Sequence, residues 1–298
     1  MCPQLTRLKF SPDQVPDWDT WDYISGLPIL RELTSLEVHS AEINNAGYLW
    51  LSKLPKLQDL MLNVGDPYGQ LPKPDSSLDH DFVAYPQAFS ALRSLYISVI
   101  NEKGLQYIMQ IWRTIATHVT HITIETWDRI CTLEIFSELC TGLITDCPNT
   151  SFFHLHEPSA IGDKAPPLPV SHFSTLQKLS LRTLRIDRRL ALEDGRGAMK
   201  SIGTLFPQLE ELWLENTPIT IDDLLQATKY LPCIRRSRLY LRARKPTSQP
   251  LSAILGEARQ TFDGGYRPNS NLVIELGYGG SSRGHVDYNG ADWDFVAR

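Results

Sequence analysis

The residues of this 298-residue chain best suited to chemistry are histidines. His154-Leu155-His156-Glu157 sets two imidazoles two positions apart. In extended backbone such residues point the same way, as two ligands of one ion must. Zinc wants a third and fourth ligand, and His121, one strand earlier, is the candidate to approach. The competing reading has all three as solvent-facing histidines on a sheet, and the expectation is no metal. The five cysteines are irregularly spaced and form no Cys-x-x-Cys. Cys140 and Cys147 fall near a helix–strand junction, with Cys131 just before, and all three read as buried or half-buried thiols. The run Gly277 to Gly284 lacks the Lys-Ser/Thr of a phosphate loop and its following helix. Asn149-Thr150-Ser151 has the form of a glycosylation sequon, but without a secretory leader it reads as coincidence. There is no Gly-x-Ser-x-Gly and no Ser/His/Asp set in recognisable context. Asp222/Asp223 and Glu210/Glu211 fit caps or solvated faces. The chain is expected to be no enzyme and to need no cofactor.

What positions these residues is a repeat. The phrase apolar-x-x-apolar-x-apolar recurs as Leu5/Leu8/Phe10, Leu33/Leu36/Val38, Leu57/Leu60/Leu62 and Leu92/Leu95/Ile97. It continues as Val119/Ile122/Ile124, Thr150/Phe153/Leu155, Leu176/Leu179/Leu181 and Leu209/Leu212/Leu214, with a weaker copy at Ile234/Ser237/Leu239. First positions lie 28, 24, 35, 27, 31, 26, 33 and 25 residues apart. Leucine-rich repeats have periods of roughly 20–29 residues, so this is a long, irregular version. Five copies carry proline two residues before the first apolar position: Pro3, Pro55, Pro148, Pro207 and Pro232. Proline stops a helix and pushes the residue before it toward extended backbone, so each marks a helix end and a strand start. Between strands, helical periodicity runs over Asn45 to Leu54, Gly104 to His118 and Cys131 to Asp146. Thr220 to Asp223 opens another helix, with Thr220 placed to cap it, and Leu251 to Phe262 forms a last one. The fold class expected is α/β: a curved parallel sheet inside and helices outside, stacked as a leucine-rich-repeat solenoid.

The solenoid is expected to span 1–276. Pro-rich insertions interrupt it at about 63–88 and 156–172, and 277–298 form a Gly-rich tail. Cys2-Pro3-Gln4-Leu5 is already the stop and strand of a full repeat, so a capping element is expected upstream.

In each phrase the apolar positions point to the core. The residues between them, and the one after, point to solvent. On that rule the ligand-facing candidates are Tyr96, His121, Phe152, His154, Lys178, Arg182, Trp213, Arg236, Arg238 and Tyr240, and Glu125 and His156 also fall on this side. Aromatics and arginines are enriched among interface hot spots. Phe152, Trp213 and the intervening Lys178 and Arg182 are expected to form one patch on three successive strands.

Lysine plus arginine total 29 and aspartate plus glutamate 34, a net charge of −5. That argues against nucleic-acid binding through general electrostatics. Apolar residues make up 42% and no run reaches the ~20 needed to cross a bilayer, so no membrane contact is expected. Odd, unpatterned cysteines and no leader after Met1 suggest a cytoplasmic or nuclear protein.

Two stretches, Phe206 to Leu241 and Leu30 to Val38, resemble the leucine-rich region of fungal F-box proteins. The resemblance rests on the repeat and implies the substrate-recognition part of a ubiquitin-ligase adaptor, binding a protein on the inner sheet face. The F-box itself does not appear; the nearest echo, Leu133 to Leu139, reads as a repeat helix. A Skp-type adaptor would be a partner if an F-box lies upstream. A free-standing scaffold or inhibitor is the alternative.

Overall fold

The computed structural model describes residues 4–10, 30–38, 50–64, 89–99, 105, 109, 115, 118–126, 131–157, 166–191, 197–219, 223, 229–241 and 273–278. The chain divides into two compact units, 1–161 and 162–298.

The first unit is a six-stranded parallel sheet in chain order: β1 (Arg7–Phe10), β2 (Ser35–Val38), β3 (Asp59–Val64), β4 (Ser94–Val99), β5 (His121–Thr126) and β6 (Phe152–His156). The apolar phrases set the register. Leu8 pairs with Leu36, Leu36 with Leu60, Leu60 with Leu95, Leu95 with Ile122 and Ile122 with Phe153. A one-residue slip at any strand would turn its apolar set to water. The entry into each strand is itself repeated. The N–H groups of Ser35 and Thr34 share the Thr6 carbonyl, those of Gln58 and Asp59 share Thr34, and those of Arg93 and Ser94 share Gln58. Thr120 and His121 likewise share Arg93, and Ser151 and Phe152 share Thr120. The turn before the strand recurs too, as Leu33 N–H to Leu30 O, Leu92 to Phe89 and Thr150 to Cys147.

Helix α1 (Leu133–Asp146) starts where Thr132 accepts the Ile135 N–H on its hydroxyl at 3.3 Å. Ile135, Phe136, Leu139, Cys140 and Leu143 form its buried stripe, as the 3.6-residue period requires. Residues Leu105, Met109 and Ile115 are helical, within the span expected for a helix. The 65–88 part of the first Pro-rich insertion, and all of the 251–262 helix, lie outside the described residues.

The second unit holds a four-stranded parallel sheet, β8 (Thr183–Ile186), β10 (Glu211–Ile219), β11 (Arg236–Leu241) and β12 (Val273–Tyr278), and a two-stranded one, β7 (Leu168–Pro169) with β9 (Leu190–Ala191). Leu184, Leu212 and Leu239 are buried along the larger sheet. Here the strand register departs from expectation. The phrase Leu176/Leu179/Leu181 is not a strand: Val170–Lys178 is a 3-10 helix, and β8 follows it. Val170, Phe173 and Leu176 recur every third residue and are buried, matching three residues per 3-10 turn. The strand takes the overlapping phrase Leu181/Leu184/Ile186. The 156–172 insertion therefore ends in packed structure, with Leu168 and Val170 buried.

Helix α2 (Ala198–Leu205) buries Ala198, Met199 and Ile202. Its Gly203 lies so near Tyr230 that an added Cβ would clash with the Tyr230 carbonyl oxygen. The glycine is what lets the two backbones approach. Among the described residues no helix is long and apolar enough to cross a membrane.

Candidate recognition face

Strand alternation places every second side chain on the open face of each sheet. In the first unit β2, β4, β5 and β6 alternate buried apolar residues with half-buried or exposed ones, so Ser35, Tyr96, His121, Phe152 and His154 lie on the open face. They do not stand free in water. The His121 and Phe152 rings, cross-strand partners, stack at 5.4 Å with planes 25° apart. Thr120 Oγ1 lies 2.8 Å from His121 Nδ1. Tyr96 donates its hydroxyl to Glu125 Oε2 at 2.7 Å. His154 and His156 follow with ring centroids 5.4 Å apart. Glu125, expected at a solvent-facing position, is instead buried. The Tyr96 hydroxyl is what makes burial of its carboxylate tolerable, since a buried charge needs hydrogen-bond partners.

In the second unit the open face is built around Trp213. It stands in register with Arg185 on β8 and Arg238 on β11. The Arg185 guanidinium lies over the indole, 3.6 Å from the ring centroid, and those of Arg238 and Arg236 lie 5.4 and 5.5 Å away. A cation over an indole face is attracted by the ring quadrupole. One register step away, Glu211 reaches Arg185 at 3.4 Å. Below it Glu210 joins Arg182 at 3.1 Å and Arg235 at 3.4 Å. The Trp213 Nε1 is buried and has no acceptor among the described residues.

Within each unit the structure gathers part of the expected set. Trp213, Arg236 and Arg238 come together in the second unit. Tyr96, His121, Phe152 and His154 belong to the open face of the first. Lys178 and Arg182 are corrected: Lys178 ends the 3-10 helix and Arg182 precedes β8, because the strand begins later than expected. The residue that takes their place beside Trp213 is Arg185. The three-residue spacing of Val170, Phe173 and Leu176 was the signal that could have found it. The side chain of Tyr240 lies outside what the structure describes, though its backbone is in β11.

The three cysteines at 131, 140 and 147 are buried, while Cys233 is exposed. Burial, with Cys131 close by, pushes the Cys140 thiol well above its ordinary range. It is held protonated, and a nucleophilic role is opposed by that environment.

In comparisons with known proteins, no family model and no curated protein matches the chain.

Proposed function

We propose that this chain is a non-enzymatic protein-recognition module of the leucine-rich-repeat kind, resembling the substrate-binding part of an F-box ubiquitin-ligase adaptor. The solenoid reading is supported by strands that pair in chain order, the shared carbonyl at each strand entry and the recurring pre-strand turn. The observation that carries recognition is the cluster of Arg185, Trp213, Arg236 and Arg238 on the open face of the second unit. Tryptophan and arginine are the residue types that most often dominate interfaces. Laying guanidiniums on the indole fixes long side chains in advance, so less rotamer entropy is lost when a partner docks. A cytoplasmic or nuclear protein ligand fits this reading. A Skp-type adaptor would join only through an upstream F-box.

The test is quantitative affinity capture with the wild type and with Phe152→Ala/Trp213→Ala, scored against thermal stability. Loss of captured partners with a melting temperature lowered by only a few degrees supports the reading. An unchanged partner set from the folded variant overturns it. Co-capture of a Skp-type adaptor and cullin separates the adaptor reading from a free-standing scaffold.

A further inference from the structure

We propose that the Trp213 face of the second unit takes an acidic peptide, an extended segment carrying several aspartate or glutamate side chains. This ligand class rests on the reading of that face as a protein-recognition surface. The first observation is charge. The two rows of cross-strand partners that run through Glu211 and Trp213 hold three arginines, Arg185, Arg236 and Arg238, against two glutamates, Glu211 and Glu275. At the entry to the same strands, Arg182 and Arg235 share the carboxylate of Glu210. Glu215 falls in the irregularity of β10 between Leu214 and Pro218, outside those rows. Arginine is thus in excess on one face of a chain whose net charge is −5. A positive patch on an acidic protein selects a partner of complementary sign and suppresses like-charged ones.

The second observation is spacing. Arg236 and Arg238 are exposed, while Arg185 is half-buried over the indole. Arg185 and Arg238 flank Trp213 on its two neighbouring strands, so their Cα atoms lie two ladder spacings, about 10 Å, apart. Arg236 precedes Arg238 by two residues on β11, about 6.6 Å along the strand. An extended peptide repeats its side chains on one face at the same spacing, so acidic residues at i and i+2 meet Arg236 and Arg238 together. Such a spread suits several carboxylates better than one phosphate. Stacking uses the face of the Arg185 guanidinium, whereas a carboxylate is bound at its N–H edge. Each guanidinium has five N–H donors, so an arginine that already has neighbours still takes a further acceptor. Holding Arg185 on the ring also places its charge before the ligand arrives.

Fluorescence polarisation of a labelled peptide of alternating Glu and Ser, titrated with the full chain, tests the proposal. The expected result is saturable binding at micromolar concentrations that weakens as salt is raised, with no binding of the matched Gln-Ser peptide in that range. Arg236→Gln combined with Arg238→Gln should weaken it by about tenfold or more, since two charge-assisted contacts are lost. Lys9→Gln, in the first unit, should bind as the wild type does. Equal binding of the Glu and Gln peptides, or a double arginine variant that binds normally, overturns the acidic class. So does a loss in Lys9→Gln equal to that in the arginine variant. A phosphoserine peptide bound far more tightly than the Glu peptide would assign the face to phosphate instead. If the arginine variant fails to fold, the comparison of Glu and Gln peptides on the wild type decides alone. Should neither peptide bind while Phe152→Ala/Trp213→Ala still loses its captured partners, the acidic class fails and protein recognition stands. If that variant keeps its partner set as well, recognition itself fails.

Discussion

Trp213 is a scaffold residue and, on the proposed reading, a recognition element as well. Its ring is roofed by Arg185 at 3.6 Å while its Nε1 is buried without an acceptor among the described residues. A buried unsatisfied donor costs about 1–3 kcal/mol, and removing it with a ring of similar shape recovers that cost. Trp213→Phe is therefore expected to change stability by less than about 1 kcal/mol in chemical denaturation, the gain offsetting the smaller ring. Arg185→Ala should cost about 1–2 kcal/mol, the cation–π contact with Trp213 together with the part-exposed pair to Glu211. A loss well above that would mean Arg185 holds the sheet together in some other way. Thiol reactivity tests burial. Cys233 should react with an aromatic disulfide reagent at once, and Cys131, Cys140 and Cys147 only on unfolding. The raised Cys140 pKa means that increasing pH toward 9 leaves that thiol protonated and unreactive. Prompt modification of Cys140 in native protein would contradict its placement.

At the scale of elements, strands were legible wherever the apolar phrase stood alone. Leu36, Leu60, Leu95, Ile122, Phe153 and Leu212 are all buried as the phrase requires. Helix α1 was legible because its apolar stripe is unbroken. The failure lies at Leu176 to Ile186, where two phrases overlap and a 3-10 helix imitates the first. Helix α2 was not anticipated; it has Gly197 at its N-cap and Gly203 inside it. Both glycines have steric reasons, since a Cβ on Gly197 would meet the Asp223 carboxylate and one on Gly203 the Tyr230 backbone. This fixes the sign of a prediction. Gly→Ala inside a helix ordinarily gains about 0.5–1 kcal/mol, but Gly203→Ala should instead cost about 1–3 kcal/mol through overpacking. A stabilised variant would mean the α2 and Tyr230 segments are not pressed together. Leu184→Ala and Leu212→Ala should each cost about 2–5 kcal/mol as cavities in a stacked core. A negligible loss at Leu184 would restore the earlier register.

For the molecule as a whole, the parallel α/β order could be read from the spacing of the phrases alone, because the carbonyl-sharing entry recurs at seven of the described strands. Which residues meet on the open face could not, since that depends on strand register to the single residue and on side chains such as Glu125 that alternation alone assigns to water. The central claim is that the open sheet faces recognise a protein. Hydroxyl-radical footprinting of the chain, free and bound to a captured partner, tests it most directly. It reports side-chain accessibility, whereas backbone exchange on paired strands is already slow. The account predicts protection of open-face strand residues, Trp213 and its arginine neighbours foremost, with Ser137, Thr141 and Thr145 on the exposed side of α1 unchanged. Protection of that helical side, with the strand residues oxidised as in the free protein, would contradict it.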